Sequence, residues 1–336
     1  MPTTRRNLTL RVFKALLAVV VVTAVVYLVG PRNAPGPLTP SQRNPPPQSI
    51  AALDEWLVAS EAAYSDIKPG NAKGIVWNAT PHQRTAWSVV YLHGFSASRL
   101  ETAPLADQVG KALKANVFYT RYSGHGRSGA AMGEANVQDW MADTLEAVAV
   151  GQTIGEHVLV ISCSTGSTLA TLFATTPEGR RVAAHVFVSP NFGPKDKKAE
   201  LINGPWGRQI ALTLEGETRG WIPDNAREAN AWSSRYPTRA LFPMMAAVKA
   251  ARESDLSLFQ TPVLALYSEL DQTVDPVETR AAIARFGTAH KTLEPVTYSK
   301  AKGQHVLVGD IKDAAATLPM AQSIVQWVQT LPMTQN

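Results

Sequence analysis

Val158-Leu-Val-Ile-Ser-Cys-Ser-Thr-Gly166 decides how this chain is read. Four apolar residues run into five small or polar ones, and Ser167-Thr-Leu-Ala-Thr-Leu172 then resumes with helical character. Such a run predicts a buried strand, a tight turn and a helix, the setting of a nucleophile elbow. The turn is so tight that the residues two before and two after the nucleophile must be small. Centred on Ser164 these are Ser162 and Gly166, which fit. Centred on Cys163 they are Ile161 and Thr165, which do not. Ser164 is therefore the candidate nucleophile, with Ser162 standing where the motif more often has glycine.

An elbow serine sits at a helix N-terminus, where the N–H of Thr165 points towards a developing oxyanion. A second donor is expected after the first clear strand, where His93-Gly-Phe95 makes the Phe95 N–H the candidate. The serine hydroxyl also needs a base, and the base an orienting acid. His157, His185 and His290 fall at strand starts, remote from the carboxyl ends where sites form. His82 lies in a polar stretch, and His93 reads as a structural loop residue. His125, in Ser123-Gly-His-Gly-Arg127, is a rival that precedes Ser164. His305 lies in a loop before the last helix and has the chain order Ser…Asp…His. For the acid, Leu264-Ala-Leu-Tyr-Ser-Glu-Leu-Asp271 is a strand followed by a loop carboxylate. Asp271 is favoured over Glu269 and over Asp275, which stands before Pro276 as a helix cap.

Outward from the elbow, short apolar runs alternate with helical patterns, as in a mostly parallel sheet. The strand candidates are Val89–Leu92, Asn116–Tyr119, Val158–Ile161, Val186–Val188 and Val263–Leu266. Leu105, Val109 and Leu113 mark one helix face, and Trp140, Leu145 and Val148 another. Met320, Ile324, Trp327, Val328 and Leu331 mark the last helix, with Pro319 near its start. The stretch from Asn191 to about Arg252 breaks the alternation. It carries Trp206, Trp221 and Trp232, five prolines, Phe242, Met244 and Met245. It reads as a cap whose aromatic and methionine side chains build an apolar pocket; a peripheral helical decoration is the alternative.

Of the 336 residues, 45% are hydrophobic and 18% charged, as in a globular α/β protein. The net charge of +5 is misplaced as evidence for nucleic acid. Six of the 32 basic residues and no acidic ones precede Ile50, so 26 basic residues face 27 acidic ones in the rest. A single cysteine rules out an intrachain disulfide and a cysteine-rich metal site. Arg5, Arg6, Arg11 and Lys14 flank the apolar run Ala15–Gly30, so residues 1–30 read as a membrane anchor with the body on the non-cytoplasmic side. A cleaved signal and secretion form the alternative. Residues 31–48 are rich in Pro, Asn, Ser and Gln and read as an extended linker holding the body, residues 49–336, off the membrane.

With His93-Gly-Phe95, Gly124-His-Gly126, Ser162-Cys-Ser-Thr-Gly166, Ser268-Glu-Leu-Asp271 and His305 in hand, the chain resembles the α/β-hydrolase superfamily. Within it, the chain resembles the monoacylglycerol-lipase-like and carboxylesterase-like branch. The resemblance implies a parallel-rich eight-stranded sheet, a helical cap insertion at about 191–252, and no cofactor. The expected chemistry is cleavage of small-molecule or lipid-like carboxylic esters through an acyl-enzyme. Amide or peptide cleavage and acyl transfer on the same triad are rivals, and a non-catalytic, membrane-tethered binding protein is the rival from another class.

Overall fold

Alternation along each central strand sends successive side chains to opposite faces, and both faces of this sheet are packed. Val158 and Val160 join one core with Val90, Leu92, Val263 and Ala265. Leu159, Ile161 and Cys163 join a second core with Val89, Tyr91, Leu264 and Leu266. A strand buried on both sides has to be apolar throughout, which is why 158–161 is an unbroken apolar run.

The computed structural model describes residues 3–332. The chain begins with α1 (Thr3–Leu28), α2 (Leu53–Glu61), β1 (Gly74–Val76), β2 (Thr85–Leu92) and α3 (Leu105–Leu113). Then come β3 (Asn116–Tyr119), α4 (Val137–Ile154), β4 (Gly155–Cys163), α5 (Thr165–Ala174) and β5 (Ala184–Val188). An excursion follows, with α6 (Gly207–Glu215), β6 (Thr218–Gly220), α7 (Ala226–Ala231), β7 (Arg235–Pro237) and α8 (Leu241–Glu253). The sheet resumes with β8 (Val263–Tyr267), α9 (Pro276–Ala284), β9 (Lys291–Pro295) and α10 (Ala314–Thr330). The main sheet runs β1-β3-β2-β4-β5-β8-β9, parallel except for the β1–β3 pair. Helix α4 packs with α5 and α8 over one face, while α10 packs on α3 over the other. This is the α/β-hydrolase fold.

Among the described residues the sheet has seven strands, one fewer than the eight implied by resemblance. Before β1, Lys68-Pro-Gly-Asn71 turns the chain, with Gly70 at φ +76°. Proline and a left-handed glycine cannot continue a ladder. The sequence reading also passed over β1 and β9, edge strands too exposed to form apolar runs. The two-stranded β6–β7 sheet inside the excursion is likewise too short to leave a period. Helix α10 starts at Ala314, capped by Asp313, so Pro319 lies within it rather than at its start.

The N-terminus differs from expectation in its contacts. Thr9–Leu28 is a helix of mean hydropathy 2.2 with none of its surface buried. A helix of that length and composition serves equally as a membrane span or a signal sequence. Residues 31–48 do not stand off from the body but lie along it. Asn33 is buried, donating to Asn203 Oδ1 at 3.0 Å and to the Phe242 carbonyl at 2.8 Å. Ser41 donates to Asp139 at 2.8 Å, and Arg43 pairs with the buried Asp143. Polar linker residues thus find fixed partners on the body.

Candidate active site

The parallel register brings the carboxyl ends of β2, β4 and β5 level, pairing Leu92 with Ser162 and Cys163 with Val188. Ser164 follows β4 directly and takes φ +51°, ψ −117°, a conformation a side chain adopts only when its surroundings impose it. The Ser164 N–H donates to the Val188 carbonyl at 3.0 Å, and its own carbonyl accepts from Ser167 and Asn191. A Cβ on Gly166 would lie 2.3 Å from the Leu92 carbonyl oxygen, so only glycine fits there. Ser162 takes the place of the other usual glycine because its hydroxyl is satisfied internally, 2.9 Å from the Ser167 hydroxyl.

Three residues from three loops meet at this turn. His305 Nε2 lies 3.0 Å from Ser164 Oγ, and His305 Nδ1 lies 2.8 Å from Asp271 Oδ2. The other oxygen of Asp271 accepts the N–H groups of Thr273 and Val274 at 2.7 and 3.0 Å. The loops carrying Asp271 and His305 are tied together, since Gln272 N–H donates to the Gly303 carbonyl at 2.9 Å. Ser189 donates to the His305 carbonyl at 2.5 Å. Ser96, Ser164, Ser189 and Gln304, all at positive φ, ring the site. Such strain gathers where a geometry is over-determined by its surroundings.

The rival residues are occupied elsewhere. Asp275 caps α9, accepting from the Val277 N–H, and pairs with Lys197. Glu269 binds Arg280 at the surface. His125 is buried beside Trp140 and Phe95, with Nδ1 3.1 Å from the Ser123 carbonyl; burial pushes its pKa down to about 4. His93 accepts the Tyr122 N–H at Nε2, 3.0 Å, and donates from Nδ1 to the Gly94 carbonyl at 2.9 Å. Burial holds it well below the ordinary histidine range, hence neutral. Cys163 is buried, and burial pushes its thiol well up.

Within the described residues, the N–H groups of Phe95 and Thr165 carry no hydrogen bond. That leaves two backbone donors free beside Ser164. Sequence reading missed one neighbour of this pair, the fully buried Glu101, whose carboxylate accepts the Gly94 N–H at 2.6 Å. A lone acid within a turn leaves no periodic signal by which to find it.

Above Ser164 and His305 lies a cavity of about 920 Å³. Its upper wall comes from the excursion, including Ile202, Leu241, Met244 and Met245. Leu214, Trp221 and Ile222 line its rim and are exposed, Ile222 by 92%. Trp232 also lines it. Trp206 does not: its indole donates to the Val26 carbonyl at 2.9 Å and covers Gly30. Among the described residues no group of three or more His, Cys, Asp or Glu is placed to hold a metal ion.

A family model described as serine aminopeptidase, S33, matches residues 83–306, from the start of β2 to just past His305. No curated protein sequence matches the chain. Among solved structures, a metagenome-derived lipolytic enzyme of the pair LipS and LipT is similar at TM-score 0.63 and 19% identity, over 78% of this chain and 99% of its own. A soluble variant of monoglyceride lipase from Saccharomyces cerevisiae, in complex with a substrate analog, gives 0.60 and 14%, over 77% and 90%. The monoacylglycerol lipase of Paleococcus ferrophilus gives 0.54 and 14%, over 76% and 97%. At such identities the likeness speaks for the fold.

Proposed function

The chain belongs to the serine aminopeptidase S33 family, serine-hydrolase-type members of the α/β-hydrolases, and on that premise we propose that it hydrolyses lipid-like carboxylic esters. In this reading Ser164 is the nucleophile, His305 the general base and Asp271 the residue that orients it. The observation that carries it is the chain of contacts Ser164 Oγ–His305 Nε2–Asp271, 3.0 and 2.8 Å, on the floor of a largely apolar cavity.

The geometry supports the following chemistry. Asp271 keeps the His305 Nδ1 protonated, leaving Nε2 to take the Ser164 proton as Oγ attacks the ester carbonyl. The oxyanion of the tetrahedral adduct falls to the Phe95 and Thr165 N–H groups. One such donor is worth about 3 kcal/mol. His305 then passes its proton to the leaving alcohol, and the acyl group stays on Ser164. Water, deprotonated by the same imidazole, releases the acid. No step calls on a cofactor.

The basic flank and bare apolar surface of α1 support a membrane tether with the body on the non-cytoplasmic side. Amide cleavage on the same triad is a second reading, favoured by the family's description as aminopeptidases. The test is a fluorophosphonate probe followed by product analysis. Labelling of Ser164 in the intact protein, lost in Ser164→Ala, with free fatty acid released from a monoacylglycerol, is the expected result. An unlabelled folded protein would sink the reading, and release of amine from peptide but no acid from ester would move it to amide cleavage. Fractionation addresses the tether: full-length protein should stay in the pellet through a carbonate wash.

A further inference from the structure

The loop after β2 reads His93-Gly-Phe-Ser-Ala-Ser-Arg-Leu-Glu-Thr102 and folds back on itself. Ala97 N–H donates to the Gly94 carbonyl, and Glu101 N–H to the Ser98 carbonyl. This return carries the Glu101 side chain beneath Gly94, where it is 1% exposed. Its Oε1 accepts two hydrogen bonds, from the Gly94 N–H at 2.6 Å and from the Tyr91 hydroxyl at 3.0 Å. The Tyr91 oxygen accepts in turn from Thr102 at 2.6 Å. The Cys163 thiol faces the same carboxyl from β4.

Among the described residues no lysine or arginine pairs with this acid. A buried carboxylate without a cationic partner is costly, and burial lifts its pKa to about 7. The opposing influences are the Gly94 N–H, the Tyr91 hydroxyl, the nearby His305 imidazole and the Cys163 thiol. A fold that keeps so costly a group beside its candidate nucleophile invites a question about what the group holds. A Cβ placed on Gly94 would be 3.0 Å from Glu101 Oε2 and 3.3 Å from Ser164 Cβ. Glu101, Gly94 and Ser164 therefore form one contiguous stack. The peptide beyond Gly94 is the one that bears the Phe95 N–H, and it inherits its direction from how Gly94 is held.

We propose that Glu101 is a positioning residue: its carboxylate pins the Gly94 N–H and thereby aims the Phe95 N–H at the oxygen of the carbonyl that Ser164 attacks. The inference rests on the reading of Ser164, Phe95 and Thr165 given above. A bond of 2.6 Å is short for N–H···O, which suits a group whose task is to fix a backbone plane. Among the described residues Glu101 is the acceptor that this N–H finds. Because Glu101 sits behind the loop, out of the cavity lining, its influence falls on the adduct and not on substrate affinity.

Two substitutions separate reach from charge. Glu101→Asp keeps the charge but withdraws the acceptor by one methylene. Glu101→Gln keeps the acceptor at full reach but removes the charge. Full-length wild type is first shown to take the fluorophosphonate label, since an unlabelled protein would overturn the catalytic reading itself and not this addition to it. Each variant is then assayed on p-nitrophenyl butyrate, titrated with a trifluoromethyl ketone that binds serine as a tetrahedral oxyanion, and checked by thermal melting. We expect Glu101→Asp to lose at least tenfold in kcat relative to Glu101→Gln. The ketone Ki should rise in parallel while KM stays within threefold. Equal kcat in the two folded variants would overturn the proposal. So would the reverse order, or a kcat loss in Glu101→Asp with the ketone Ki unmoved.

Discussion

The floor of the cavity and its roof are built on different terms. On the floor, hydrogen bonds hold the backbone of Ser164 itself, the N–H on Val188 and the carbonyl under Ser167 and Asn191, with Gly166 pressed against Leu92. In the roof, Ile202, Tyr236 and Phe242 of the excursion between β5 and β8 form a small core closed by Met132 from the segment before α4. It leaves Leu214 and Ile222 largely in solvent. Polar contacts set by distance define the floor, while apolar contacts set by area define the roof. The difference teaches where substitution should be fatal and where it should only retune.

The same change in the two regions makes the sharpest test. Gly166→Ala would push a methyl onto backbone oxygens at 2.3 and 2.7 Å, which no side-chain movement relieves. Loss of all measurable esterase activity with a fall in Tm is expected. Gly216→Ala in the roof meets nothing within 4 Å and bears only the backbone strain of φ +76°, ψ −175°, worth about 1–3 kcal/mol. Its activity should stay within twofold. Comparable damage at both positions would break the comparison.

Asp271→Asn comes next. Asparagine would present a donor to His305 Nδ1 and favour the wrong tautomer, so kcat should fall by about 10⁴-fold with Tm little changed. A loss under tenfold would mean that Asp271 does not orient the base.

In the roof the effect should scale with area. Each methylene buried in the cavity contributes about 0.8 kcal/mol, so kcat/KM should climb by up to about fifteenfold per carbon pair from acetate towards octanoate. Met244→Ala should flatten that slope and leave acetate unaffected beyond twofold. A profile flat in the wild type would leave a small-ester hydrolase as the better description.

The smallest effect concerns pH and stability. Glu101 in the folded protein titrates at about 7, above the ordinary carboxylate value. Between the two values the folded state binds the extra proton, so its contribution is complete below the unfolded pKa and is lost as pH rises through about 7. Glu101→Gln removes this term. The Tm difference between Glu101→Gln and wild type should therefore shift in favour of the variant, by a few degrees, from pH 5 to pH 8. A constant difference across that range would show that Glu101 does not titrate there.

The contrast also explains what the sequence could tell. Doubly buried strands must be apolar throughout, so β2 to β5 and β8 are legible as runs, whereas β1 and β9 carry no such demand. The elbow imposes small residues at fixed offsets, which distinguishes Ser164 from Cys163 without any coordinates. Asp271 and His305 were singled out by order along the chain, and they lie within hydrogen-bond reach of one another and of Ser164. Glu101 and Asn33 escape such reading because each is a lone polar residue held by a few specific hydrogen bonds, which leave no period in the sequence. Composition revealed that the excursion is apolar but not which way its tryptophans turn, and Trp206 turns to the N-terminal segment.

That turn has a mechanical consequence. A flexible tether lets an enzyme tumble beside its membrane, but here the end of α1 is fastened to the roof by the Trp206 indole. The Trp206 N–H on the Pro31 carbonyl and Asn33 on Asn203 add to the fastening. Roof and helix then share one rotational degree of freedom. If α1 resides in a bilayer, any lift of the roof to admit a bulky ester must tilt α1 against the drag of the surrounding lipid. Turnover of such an ester would slow as the bilayer passes from fluid to gel, while a small ester that needs no lift would be indifferent to the phase.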